Sequence, residues 1–142
     1  MTIHIKPGGR VGDVQKQFAA YYPFLKVEFL KKSANGENKS KDIFALPNEV
    51  FEALHHVKAN VTISAGKEKT VAELENDFKD LFGVNAQVFR KSGNVWIETT
   101  LTDKWTLEKQ NEEGEQLSSH AVIRSAVIDF FGEQNQIGQE TE

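Results

Sequence analysis

The sequence predicts an α+β fold, and three observations carry that reading. A strand, helix and strand pattern occurs twice, the second copy runs on into a hairpin, and 142 residues are enough for one well-buried core.

The elements follow in order. Ile3-His4-Ile5 alternates as a short strand does, and Pro7-Gly8-Gly9 signals a turn. Val11, Val14, Phe18, Tyr21 and Tyr22 then recur at helical spacing up to Pro23, which lacks the N–H needed to continue the helix. From Leu25 to Phe29 apolar and charged residues alternate, the period of a half-buried strand. These elements make a first βαβ unit over residues 1–32. Residues 33–60 read as a linker, with a polar loop from Ser33 to Lys41 and a short helix opened by Pro47 and running through Val50, Leu54 and Val57.

A second unit, 61–105, starts with the strand Val61-Thr62-Ile63 and the loop Ala65-Gly66-Lys67. Val71, Leu74, Phe78 and Phe82 match Val11, Val14, Phe18 and Tyr22 at one constant offset, which predicts an internal repeat. Thr70 followed by Glu73 spells a capping box, and Gly83 suits the left-handed residue after a helix end. Ala86 to Lys91 and Asn94 to Thr99 flank Ser92-Gly93, read as the loop of a hairpin that sets Phe89 opposite Trp96 and Val88 opposite Ile97. Period two then gathers Ala86, Val88, Val95 and Ile97 on one face, with Phe89 and Trp96 on the other.

Past the hairpin, a Glu/Gln-rich stretch is expected to be interrupted by Gly114. The segment 119–131, with Val122, Ile123, Ala126, Val127, Phe130 and Phe131, is expected as a helix or a strand within a C-terminal element over 106–132. Residues 133–142 are expected to form a disordered acidic tail. The expected architecture is thus a pair of βαβ(β) units, ubiquitin-like or ferredoxin-like in topology. If the two strands of a unit share a sheet, a right-handed crossover makes them parallel.

Composition narrows the function classes. With no cysteine, a disulfide scaffold, a cysteine-ligated zinc, an iron-sulfur cluster and a cysteine nucleophile are all excluded. No apolar run reaches the roughly 18 residues of a membrane span, and the first residues lack a signal-peptide apolar region, so a soluble cytoplasmic protein is expected. The net charge of -4 conceals a gradient. Residues 1–59 hold nine bases and six acids, 60–105 six and seven, and 106–142 two and eight. Any charged partner is therefore to be sought on one part of the chain.

The strand from Phe24 to Phe29, the helix start Thr70-Val71-Ala72-Glu73-Leu74-Glu75, and above all Gln87 to Trp96 and Thr106 to Asn111 resemble a family of small uncharacterised bacterial proteins. The resemblance covers about Met1 to Gly114. It implies kinship without an assigned activity, so no catalytic residue is carried over.

Two candidate sites remain. Phe89 and Trp96, flanked by Arg90 and Lys91, form an aromatic and basic sheet face suited to a protein partner or a second copy of the chain. The same face could stack bases of a single-stranded nucleic acid, but the pI of 5.6 and the lack of an RNP-type signature disfavour that. Arg10, Lys67, Lys69 and Thr70 stand at two expected helix starts, where a phosphate or carboxylate of a bound ligand or substrate would be attracted. Neither loop fits a P-loop or a dinucleotide fingerprint. His4, His55, His56 and His120 have no metal-ligand spacing, and no nucleophile elbow or paired carboxylates appear, so neither a metal, a cofactor nor a catalytic residue is expected. A small non-enzymatic interaction or adaptor module is the leading expectation.

Overall fold

Alternation and helical spacing shape the first elements of the computed structural model, which describes residues 1–31, 43–51 and 60–119. In β1 (Thr2–Ile5) the two isoleucines are buried while Thr2 and His4 face out. The helix α1 (Val11–Tyr21) turns Val11, Val14 and Phe18 inward, and the N–H of Tyr22 closes its end on the carbonyl of Phe18 before Pro23. Leu25, Val27 and Phe29 are the buried side of β2 (Leu25–Lys31), which is followed by the two-residue β3 (Ile43–Phe44).

The same order returns with β4 (Val61–Ser64) and α2 (Val71–Asp77), the latter prolonged by a π-helical turn, Phe78–Phe82. The expected capping box forms: Thr70 Oγ1 accepts from the Glu73 N–H at 3.1 Å, and Glu73 accepts from the Thr70 N–H at 2.9 Å. Gly83 takes the left-handed conformation, φ 74°, that ends the turn. After it come β5 (Ala86–Ser92), β6 (Val95–Glu98), a short 3-10 turn at Thr100–Thr102 and a third helix, α3, over residues 107–119.

Strand pairing runs between the halves. β1 and β2 do not share a sheet, so the parallel pair that one sheet per unit would give is absent. β1 instead pairs antiparallel with β4, Ile3 facing Ile63, and β2 pairs antiparallel with β5, Val27 facing Val88. The result is a two-stranded sheet and a four-stranded sheet of order β3-β2-β5-β6. Matching positions meet each other in both. The Leu30 N–H donates to the Asn85 carbonyl at 2.9 Å, and the Lys91 N–H donates to the Phe24 carbonyl at the same distance, two bonds that a local two-fold would exchange.

One core serves both sheets. Phe18, Phe29, Phe51 and Phe78 are fully buried, with Phe29 edge-on to Phe51 and Phe78 at 5.1 Å and Phe51 edge-on to Phe82 at 4.9 Å. Rings in this geometry add roughly 1 kcal/mol per pair to the area they bury. Tyr22 crosses the molecule, donating its hydroxyl to the Ala65 carbonyl at 2.6 Å. Burial, with Tyr21 and Glu108 nearby, pushes its phenol up to about 12.

Four sequence expectations change. The hairpin loop is Gly93-Asn94, not Ser92-Gly93, because Gly93 supplies the positive φ (64°) that a tight connection needs at its first central position. Trp96 therefore lies opposite Lys91 and Phe89 opposite Glu98, a slip of two residues that leaves both faces intact. Val95 of the expected aliphatic face is 58% exposed, since β6 is the outer strand. Gly114 does not interrupt anything: α3 passes through it, and a Cβ there would stand 2.9 Å from Phe24 Cβ. The expected linker supplies β3 and the core ring of Phe51. Within it Pro47 to Val50 form a turn and a bridge to Arg10, not the start of the expected helix. Residues 32–42, 52–59 and 120–142, which include the expected polar loop, the rest of the Pro47 helix, the 119–131 element and the acidic tail, lie outside the described residues apart from Ser119.

Candidate functional site

Residues that alternate away from the core compose the outer face of the four-stranded sheet. β2 contributes Lys26, Glu28 and Leu30, β5 contributes Gln87, Phe89 and Lys91, and Trp96 and Glu98 follow on β6. Phe44 stands opposite Leu30 on β3 and meets Phe89 edge-on at 5.8 Å. None of the buried faces of α1 or α2 is directed here, since those helices share a core with Leu25, Val27 and Phe29 on the other side.

Lys26 organises this face. It lies opposite Phe89 in the β2/β5 pair, and its Nζ stands 5.3 Å from the Phe89 ring centre and 5.2 Å from that of Trp96. Glu28 holds the same ammonium at 3.2 Å. Lys91 approaches the Trp96 ring at 6.0 Å. Contacts of this kind are worth about 0.5–1 kcal/mol at exposed positions, enough to bias ring orientation while the rings remain available. Trp96 is 37% exposed and Phe89 partly so.

Arg90 does not belong to this face. Its neighbour relation to Phe89 turns it to the opposite side, where it faces Leu25 and Ile97 across the sheet. There it donates to Gln110 Oε1 at 2.8 Å, and Gln110, fully buried, donates to the Thr102 carbonyl and hydroxyl at 2.7 and 2.9 Å. Trp105 is held between Arg90 at 5.5 Å and Lys109 at 4.6 Å. Arg90 is thus a strut between β5 and α3. Its buried Nε has no hydrogen-bond partner among the described residues.

The residues proposed for an anion are already engaged. Arg10 donates from its side chain to the Asn48 carbonyl, and its N–H is capped by Asp13. Lys69 joins the Ser64 carbonyl to the Asp77 carboxylate, and Lys67 faces Glu108 at 3.9 Å. Thr70 is occupied by Glu73, whose carboxyl the Thr70 backbone and hydroxyl hold below the usual carboxylate range. The hollow around Lys67 and Lys69 also contains Glu68 and Glu108, which repel an anion. Arg10 stands at the start of a different helix from the other three.

One acid has an unusual setting. Glu75 points from α2 at β5 and accepts the Val88 N–H at 2.9 Å. Burial raises its carboxyl above the ordinary range, with that hydrogen bond opposing and nearby Asp103 adding to the rise. Among the described residues no three of His, Cys, Asp and Glu come together as a metal site. No helix of the described residues is long and apolar enough to cross a membrane.

No family model, characterised protein or solved structure matches the chain. Function is therefore read from geometry. Sequence reasoning missed Lys26 and Phe44, the two residues that join Phe89 and Trp96 into one surface. The outward alternation of Lys26 is visible in the sequence but its partner strand is not, and Phe44 lies in a stretch expected as linker, where a two-residue strand leaves no periodic signal.

Proposed function

We propose that this chain is a small, non-enzymatic interaction module whose outer sheet face, Phe44, Phe89 and Trp96 with Lys26 and Lys91, meets a protein partner. The observation that carries the reading is the half-open Trp96 ring, with the Lys26 ammonium 5.2 Å from its centre, on a face turned away from the core. Rigid, partly exposed aromatics beside cations are the composition of interface anchors. Glu28 and Glu98 stand among the lysines, which suits a protein surface better than a phosphate backbone. We read the two halves as copies of one unit, a reading supported by the matched pairings Ile3 with Ile63 and Val27 with Val88. A bacterial, cytoplasmic setting is part of the same proposal.

The test is quantitative capture of partners from cells of the source organism, alongside sedimentation of the purified chain. The wild type is expected to retain a protein, or to self-associate, in a way that both Trp96→Ala and Lys26→Glu lose while Glu112→Ala keeps. Equal retention by all four proteins would contradict the proposal.

A further inference from the structure

The outer edge of β2 is only partly covered. β3 pairs with it at Leu30 and Lys31, and the Ala45 N–H adds one bond to the Phe29 carbonyl at 2.8 Å. The chain then turns away at Leu46-Pro47, and proline has no N–H to extend the ladder. Among the described residues no strand lies beside Lys26 to Glu28 on that side. Gln15 of α1 stands in, donating to the Val27 carbonyl at 2.9 Å and to Glu28 at 3.0 Å. A groove of about 530 Å³ opens there, with Lys16 and Ala19 on one wall and Phe44, Leu46 and Pro47 on the other.

The second half fills the corresponding place with its own chain. Trp96 lies opposite Lys91 as Phe44 lies opposite Leu30, and the Asp103 carbonyl accepts from Ala72 as the Pro47 carbonyl accepts from Gly12. Between those matched points the second half runs from Trp96 to Asp103 and the first only from Phe44 to Pro47, four residues fewer. The extra residues let β6 continue along β5, and the buried Thr99 gives its hydroxyl to the Val88 carbonyl at 2.8 Å. Val88 is the residue that faces Val27 across the sheet.

Charge indicates what would fit the groove. Its ionisable lining is Lys16, Lys26 and Glu28, and Glu28 is already held by Lys26 and Gln15. Lys16 has no ion-pair partner among the described residues, so the groove is left net positive. The segment that fills the second half, Glu98-Thr99-Thr100-Leu101-Thr102-Asp103, is acidic at both ends.

We propose that the α1/β2 groove binds an acidic segment of a partner protein whose first residues add to the β2 edge beside Val27 and Glu28, in the place that Glu98–Asp103 fills in the second half as a strand end followed by a 3-10 turn. Main-chain bonds to the strand edge would supply affinity and Lys16 the preference for acids. The groove stands on the gap in β2, not on the outer-face reading, and either can fail alone.

The test is an NMR titration of the full chain with an acetylated, amidated hexapeptide copying Glu98–Asp103. Shifts are expected at the amides of Lys26, Val27 and Glu28 and at the Gln15 side chain, with an affinity on the order of millimolar for so short a ligand. The peptide carrying both E98K and D103K should bind about five-fold more weakly, and Lys16→Glu in the protein should reverse that order. No shift at these amides up to roughly 10 mM peptide would overturn the proposal. So would an equal response to both peptides, or shifts confined to Phe89 and Trp96, which would seat the peptide on the outer face. Changes at the same amides on dilution, or on deletion of residues 120–142, with no peptide present would give the groove to a second copy or to the chain's own end, and would likewise overturn it.

Discussion

The two halves bury the same pattern and finish it differently. Phe18 and Phe78 occupy matching places in one core, as do Tyr22 and Phe82, while the polar positions around them diverge. Gln15 in the first half donates to a strand carbonyl, whereas Glu75 at the matching position accepts from a strand N–H. The first sheet edge ends after two residues of β3, and the second continues through β6 to Thr99. Apolar spacing decides where a helix packs, and polar side chains decide what the finished edge can still bind.

The largest effects should come from the matched core. Phe18→Ala and Phe78→Ala are each expected to cost about 3–5 kcal/mol in urea unfolding, since both side chains are fully buried. A cost below about 1 kcal/mol at either position would break the equivalence of the halves. A smaller loss, about 1–3 kcal/mol, is expected for Gly12→Ala, because a Cβ there would stand 2.9 Å from the Pro47 carbonyl oxygen. The second half carries Ala72 at this place, its N–H on the Asp103 carbonyl, so a neutral Gly12→Ala would show that the first half accommodates the added methyl as the second does.

The smallest effect is a pH dependence. Because Glu75 has a raised carboxyl pKa, the stability linked to it is full below its unfolded value of 4.5 and is lost as pH rises through the folded value. Glu75→Gln keeps an acceptor for the Val88 N–H and stays neutral. The variant should therefore gain on the wild type as pH goes from acid to neutral, followed by urea midpoints at both ends. A constant difference between the two proteins would contradict the assignment.

Much of this was legible from spacing. Helical intervals located α1 and α2, Thr70 and Glu73 located a cap, and period two placed Phe89 and Trp96 together even though the hairpin loop was set one residue early. Alternation alone separates Arg90 from Phe89, so the expected grouping of the two on one face conflicts with the period of the strand itself. Gly114 misled because a glycine weakens a helix in isolation, while here close packing against Phe24 requires it. What the sequence could not show is which strands pair. Lys26 reaches Phe89 and Trp96 only because β2 lies beside β5, a contact between residues more than sixty positions apart.

Trp96→Ala, followed by thermal unfolding and near-ultraviolet dichroism, tests most directly whether that face is a surface. A folded protein is expected whose stability falls by about 1 kcal/mol or less, the loss of exposed ring contacts with Lys26 and Lys91. A loss of about 3 kcal/mol or more, comparable to Phe78→Ala, would place Trp96 in a core and contradict that expectation.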